Sequence, residues 1–415
     1  MATSRDATLT VIDGILKDTH LLQQIQNAVN KSTVLLSRLG VSRSMSGRKG
    51  LFSVQVGTHQ GVGARAENAT LPVSGFGEYI QPEVTVKYLY GVFNITGPTI
   101  AATRDNKGAF ADALKRAIMD TREGLKLDVQ RQVWGDGSAI IGLTNGTGAG
   151  GATIQIDSPY GLARYDNGHP VKFIKRNAIV DTLDTTNSDA VLDDDITVTA
   201  VAHAATYTSI TQAGTWSGTI ADGDKVVRYD VTPGLEIELR GLSAIVDTTG
   251  HESGGKYLGI VRASYPEWQG NVVDNSTADI TEARLRAMLD LVETEGDSRP
   301  DLIITNYNQR AKYEALLTPS KRFVSPMQLE GGFTALEFDG LPIVVDKDAP
   351  PEHWWFVDTS TIQWFQMSDF MWMDKDGSVL DRVQGKDAYQ AVLFKYADLG
   401  CTDPANNAVL YGCGI

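Results

Sequence analysis

The sequence predicts an α+β protein, because its helix-forming and sheet-forming stretches are segregated along the chain. Three observations carry the prediction. Residues 103–134 hold an apolar stripe at helical spacing for some thirty positions. Residues 142–275 are dominated by Thr, Asp, Gly and Val, with short runs that alternate like strands. Residues 333–415 gather four of the seven tryptophans into short phrases that read as sheet.

In chain order, Val11, Ile15, Leu21, Leu22, Ile25, Val29 and then Val34, Leu35 and Leu36 support one or two short amphipathic helices between Thr10 and Gly40. Residues 42–50, where Arg43, Arg48 and Lys49 sit among serines and glycines, read as a flexible basic linker. Phe52, Val54 and Val56 then alternate with Ser53 and Gln55, Gly57, Gly61 and Gly63 mark a tip, and a return arm runs from about Ala64 to Ile80. This is a long hairpin with too few large apolar side chains to bury against itself. A two-stranded ribbon alone in water is marginal at best, so it must lie on something else.

Residues 83–96 alternate as a strand with Val84, Val86, Tyr88, Tyr90 and Val92 on one face, and Gly97-Pro98 stops it. The long helix starts near Thr103 or Asp105, either of which can cap it, and runs through Phe110, Leu114, Ile118, Leu125 and Val129 to Trp134. At ~1.5 Å per residue it spans on the order of 45 Å. Gly135-Asp136-Gly137-Ser138 ends it. In the β-rich stretch, runs at 196–201 and 225–229 with acidic turns at 193–195 and 222–224 predict a small β element inserted at about 180–235. Residues 279–282 have the spacing of a capping box, followed by a helix whose inner face is Leu285, Met288, Leu289 and Val292. A buried strand at 301–306 and a helix at 308–317 come next. In the tail, Asp339-Gly340 turns the chain ahead of Pro342, and residues 388–396 alternate as a last long strand.

Taken in that order, these phrases resemble tailed-bacteriophage major capsid proteins, the Hong Kong 97-type coat fold. Three groups of residues carry the resemblance. The Gly340-Leu341-Pro342 strand, the Trp/Phe-rich pair at 354–365 and the strand 388–396 running into Leu399-Gly400 resemble the closing third of that family. The strand, the Gly97-Pro98 break, the long helix and its Trp134-Gly135-Asp136-Gly137 stop resemble its peripheral-domain spine. The strand–helix alternation at 279–317 resembles its axial domain. The resemblance implies an N-terminal arm at 1–50, an extended β-hairpin loop at 51–83 that reaches over a neighbouring subunit, and a peripheral domain with the spine helix at 84–137 and 359–399. It implies an axial α/β domain at 138–358 and 400–415 that contains the inserted small β element.

The function so implied is that of a major capsid protein, assembling into hexamers and pentamers and then into an icosahedral shell around double-stranded phage DNA. Contacts between subunits are expected from Arg65, Glu67 and Phe76 in the loop and from Arg48 and Lys49 in the arm. The expected partners are further copies of the chain, a separate scaffolding protein, since only about fifty residues precede the hairpin, a portal and, where one exists, a decoration protein. The expected location is the virion, after assembly in the bacterial host cytoplasm. In some members of the family a lysine of the extended loop becomes joined covalently to an asparagine of a neighbour. Here no lysine lies between Lys49 and Lys87, so a shell held by noncovalent contacts is expected.

Composition agrees with a structural role. At 415 residues, 42% hydrophobic and 21% charged, the chain has enough apolar content for a large core. No apolar run approaches the roughly 18 residues that would cross a bilayer, and no apolar signal core follows Met1, so neither a membrane span nor secretion is expected. The net charge of −14 argues against a protein whose main task is to grip phosphate, yet it suits the wall of a DNA container; residues 1–50 run the other way, with seven basic against three acidic side chains. The six histidines stand singly, and Cys401 and Cys413 lack partners at metal-ligand spacing, so no metal, no cofactor and two reduced thiols are expected.

The Gly146–Gly151 run fits the glycine fingerprint of dinucleotide sites, but it is expected to follow a helix and to lead into β-type sequence, and so reads as a loop. The triplet at 193–195 lacks the alternate ligands of an EF-hand and reads as a solvated turn. Two other functions remain open on the sequence. One is an encapsulin-type compartment with the same fold. The other is a carbohydrate-active enzyme, in which Trp354, Trp355, Trp364 and Trp372 stack sugar rings and two of Asp358, Asp369, Asp374 and Asp376 form an acid/base pair. Against the second stands the reading that these aromatics fill a sheet core and subunit contacts.

Overall fold

The computed structural model describes residues 34–39, 42–45, 47–59, 61–98, 107–146, 151–157, 178–184, 190–203, 208–228, 237–248, 252, 254–317, 327–328, 334–374 and 378–414. The helix signals ahead of residue 34, the capping positions Thr103 and Asp105, and Asp376 lie outside them. Two sheets and a barrel organise the chain.

The first sheet has five strands. Its backbone is the antiparallel pair Ile362–Trp372 and Ala388–Cys401, to which Lys87–Thr96 adds ten residue pairs, from Ala388 with Thr96 to Ala397 with Lys87. Asp381–Arg382 continues the far edge, and Ser42–Ser44 lies parallel to residues 364–366. The long helix, Lys107–Gln132, covers one face. Its Ile118 and Leu125 are buried with Leu89, Phe93 and Ile95. Gly91 permits the close approach, since a Cβ there would stand 2.9 Å from the Thr121 methyl.

The second sheet has seven strands, in the order 271–274, 408–411, 354–357, 302–305, 341–345, 334–338 and 327–328. It is covered on both sides. Leu302, Ile304, Trp355 and Val357 join the large core around the long helix, while Ile303, Trp354 and Phe356 pack against Leu285, Met288, Leu289 and Val292 of the helix Glu282–Gly296. That is why Leu302–Thr305 and Trp354–Val357 are buried at every position instead of alternating. Asp339 and Gly340, both at positive φ (50° and 81°), make the two-residue turn of the hairpin in this sheet.

A third unit is a closed barrel of six strands, Ile140–Thr144, Thr153–Asp157, Ile179–Asp184, Ala190–His203, Thr208–Gln212 and Lys225–Arg228. Its interior holds Ile154, Ile156, Val180, Val198, Ile210, Trp216 and Val226. Closure removes every free sheet edge from this unit. Arg228 pairs at 2.5 Å with Asp128 of the long helix, and the buried Arg131 joins Asp128 to Glu238 just beyond the barrel. The next turn wraps the helix end: Leu242 N–H donates to Val133 O at 2.8 Å, and Arg240 reaches Asp398 of the first sheet at 2.5 Å.

Several expectations need correction. The basic linker contains two strands, Ser42–Ser44 and Lys49–Leu51, each completed by backbone bonds to an existing strand rather than by its own apolar pattern. The inserted β element takes in strands from residue 140 onward, not from 180. The acidic triplet is no turn; it sits inside the strand Ala190–His203, where the register shifts and Asp195 takes φ 56°. Its carboxylates of Asp194 and Asp195 stand within 4.8 Å of that of Asp181, which accepts the Asp195 N–H at 2.8 Å. The described part of the glycine-rich run follows a barrel strand and not a helix. The helix cap near 279–282 is Thr281, whose hydroxyl accepts from Arg284 N–H at 3.2 Å.

Candidate self-association surface

The loop is built from its base outward. Lys49–Leu51 pairs with Glu83–Thr85, and Val54–Gln55 pairs with Tyr79–Ile80. Phe52 stacks on Phe365 of the first sheet at 5.7 Å and 22°, and lies 6.3 Å from the buried Trp268. Val84 and Ile80 are buried below it. Ladder pairing stops there: no described residue from 57 to 78 lies in a strand, so the hairpin expected from the sequence exists only at its base. The remainder is held by short-range contacts such as Ala69 N–H to Ala66 O at 3.1 Å and Gly61 N–H to His59 Nδ1 at 3.0 Å.

This outer part carries large apolar side chains in the open. Phe76 is 93% exposed, Val73 83% and Leu71 78%, and Arg65 and Glu67 are exposed beside them. Arg48 and Lys49 stand apart, at the base, where the exposed Lys49 ammonium pairs with Glu83. The structure therefore separates the five residues expected at subunit contacts into a basal pair and an outer trio.

A second uncovered surface escaped the sequence reading. Val84 and Val86 are buried, but the chain changes partner between Thr85 and Lys87, from the loop base to the long strand. Beyond that point Lys87, Leu89, Gly91, Phe93 and Ile95 are the buried set, and Tyr88, Tyr90 and Val92 are exposed. Tyr88 lies opposite Tyr396, Tyr90 opposite Phe394, Val92 opposite Val392, and Phe394 opposite Met371. Tyr88 meets Tyr396 edge-on at 5.2 Å, and Phe394 lies 4.7 Å from it. Three strands thus present one aromatic and aliphatic face, on the side of the sheet away from the long helix. The signal was present in residues 388–396, where both alternate sets are apolar, so each face of that strand needs a cover.

Beneath this face Lys395 is buried, with its ammonium 4.6 Å from the Trp364 ring and 3.2 Å from Asp369; burial lowers its pKa, against the pull of that carboxylate. Among the described residues the tail's tryptophans form no exposed sugar-stacking face. Trp354, Trp355, Trp364 and Trp372 are all core residues, Asp358 caps Ser360 at 3.0 Å and Asp369 serves Lys395. Burial pushes the Cys401 and Cys413 thiols up to about 12. No helix among the described residues is long and apolar enough to cross a membrane.

No protein-family model matches the chain, and no curated protein matches it in sequence. Solved structures do. A chain of the cyanophage A-1(L) capsid asymmetric unit is similar over 90% of both chains, with 14% identity and a TM-score of 0.53. The capsid of a native GTA particle is similar over 92% of this chain and 90% of its own, with 11% identity and a TM-score of 0.47. The SrpI encapsulin of Synechococcus elongatus PCC 7942 is similar over 94% and 89%, with 10% identity and a TM-score of 0.42. The likeness to the cyanophage subunit shows that this chain has the fold of a phage capsid protein.

Proposed function

We propose that the chain is the major capsid protein of a tailed bacteriophage, a non-enzymatic subunit that closes into an icosahedral shell around double-stranded DNA. The observation that carries this reading is the presence, on one capsid-type fold, of two different uncovered apolar surfaces: the outer loop with Leu71, Val73 and Phe76, and the sheet face with Tyr88, Tyr90, Val92 and Met371. Contiguous apolar surface of this kind marks an interaction site. Two unlike patches that cover each other between copies make a head-to-tail contact, and such contacts form rings when the rotation between copies closes. Pentamers and hexamers are rings of that type.

In this reading the loop of one subunit lies across the aromatic sheet face of the next. Phe76 is the apolar anchor, and Arg65 and Glu67 are the charged contacts around it. Arg48 and Lys49 fix the loop base, where Lys49 pairs with Glu83 within the subunit. The acidic balance of the whole chain lets packed DNA slide against the wall, with no sequence-specific grip. A scaffolding protein and a portal complete the assembly in the host cytoplasm.

The test is negative-stain electron microscopy of the purified chain, expressed alone and with the gene products encoded beside it. Closed shells that contain nucleic acid are the expected result. A monodisperse monomer under all conditions would sink the proposal, and shells loaded with an enzyme instead of DNA would convert it to a cargo compartment.

A further inference from the structure

The strand Lys87–Thr96 is the outermost on its side of the first sheet, and its strand partner is Ala388–Cys401. In an antiparallel ladder the backbone bonds join residues directly opposite each other, and alternate residues turn their N–H and C=O away from the partner. Which residues turn away is fixed from two sides. Gly97 N–H donates to Asp387 O at 2.8 Å, one step beyond the pair Thr96–Ala388, so Leu89, Gly91, Phe93 and Ile95 are the set bonded to the partner strand. On the other side of that strand, Val392 O accepts Met373 N–H at 2.8 Å and Ala388 O accepts Val383 N–H at 2.9 Å, which gives the same alternation. Tyr88, Tyr90, Val92 and Asn94 therefore direct both backbone groups out of the sheet edge, and these groups make no hydrogen bond among the described residues.

The subunit already uses this edge once. Val84 and Val86 belong to the same outward alternation, and there the strand Lys49–Leu51 pairs with Glu83–Thr85 while Val86 N–H donates to Arg48 O at 3.2 Å. That cover ends at Arg48, next to Gly47 at φ 101°, and the edge lies open from Tyr88 onward. An open edge flanked by exposed apolar side chains is a template for a strand from another chain.

The outer loop has the matching deficit. From Thr70 to Phe76 its backbone makes no hydrogen bond among the described residues, and Leu71 and Val73 stand exposed two positions apart. Pro72 lies between them. A strand that turns the backbone of Leu71 and Val73 toward an edge turns that of Pro72 away from it, which is where a strand tolerates a residue without N–H. In antiparallel pairing Leu71 and Val73 then fall on the same sheet face as Tyr88, Tyr90 and Val92. We propose that residues 70–74 of a neighbouring copy add as an antiparallel strand to the edge at residues 88–94, end to end with the Arg48–Leu51 segment already on that edge. The inference rests on the capsid reading, in which the loop crosses to the next subunit, and names the backbone bonds that hold it there.

The test is residue-resolved hydrogen exchange on the full-length chain, unassembled and in particles. In the unassembled chain the amides of Leu89, Gly91, Phe93 and Ile95 are protected, and those of Tyr88, Tyr90, Val92 and Asn94 exchange freely. In particles this second set and the amides of Leu71 and Val73 slow by about a hundredfold. Val92→Pro deletes an N–H that serves no bond within the subunit, whereas Val92→Ala trims the side chain and keeps the N–H. Assembly followed by light scattering should need about tenfold more protein for Val92→Pro than for Val92→Ala, with wild-type circular dichroism in both unassembled variants. The exchange result stands on the wild-type chain alone, whatever the fold of the proline variant. Particles whose edge amides still exchange freely overturn the inference and leave the capsid reading intact. So do edge amides that slow while Leu71 and Val73 do not, which assigns the edge to another occupant such as the same strand of a second copy. Equal assembly by two folded Val92 variants likewise overturns it. A wild-type chain that never assembles sinks the capsid reading and this inference together.

Discussion

Single residues divide into those that hold the subunit together and those that do not, and Phe76 belongs to the second group. At 93% exposure it contributes nothing to the fold of its own chain. Phe76→Asp should leave the unassembled subunit within about 0.5 kcal/mol of wild type, as surface changes do. Burial of a Phe is worth about 1.5–3 kcal/mol, so the same change should raise the concentration needed for assembly at least tenfold. Light scattering against concentration reads that shift, and unaltered assembly would remove Phe76 from the interface.

His353 belongs to the first group. Burial lowers its pKa from 6.5 to about 4, so above pH 6.5 it is neutral in both folded and unfolded chains. As pH falls towards 4 the unfolded chain takes up a proton that the folded one refuses, and stability drops by about 3 kcal/mol across that window. Urea titrations at pH 7 and pH 4.5 should show this loss in wild type and a smaller one in His353→Gln.

Elements were legible where packing leaves a periodic trace. The long helix, the capped helix with Leu285, Met288, Leu289 and Val292 inside, and the Asp339-Gly340 hairpin all stand where the residues place them. Ser42–Ser44 was not legible, because an edge strand is made by backbone bonds to Trp364–Gln366 and needs no pattern of its own. Strand 87–96 was legible as a strand, but not which side faces inward. Tyr88, Tyr90 and Val92 are as apolar as Leu89, Phe93 and Ile95, and only the helix decides between them. The loop residues Arg65, Glu67 and Phe76 were singled out through a family resemblance, whereas the exposed sheet face at Tyr88, Tyr90 and Val92 was missed. Gly91 is where helix and strand meet most closely. Gly91→Val should cost about 1–3 kcal/mol by pushing Thr121 aside, and Thr121→Ser, which deletes the opposing methyl, should restore part of it. A double-mutant cycle in denaturant measures the coupling; purely additive effects would show that the helix does not bear on this strand.

For the whole molecule, the distribution of lysines predicts noncovalent contacts in the proposed particles. The loop between Lys49 and Lys87 has none, so boiling purified particles in detergent should release a single monomer band. A ladder of covalent oligomers would contradict this. The barrel has a consequence of another kind. Its first strand pairs with its last, Ile140 beside Val227, so the chain enters and leaves through one doorway about 5 Å wide. Such a module is a cassette: a foreign domain with adjacent termini can be spliced in its place without re-routing the helix or either sheet.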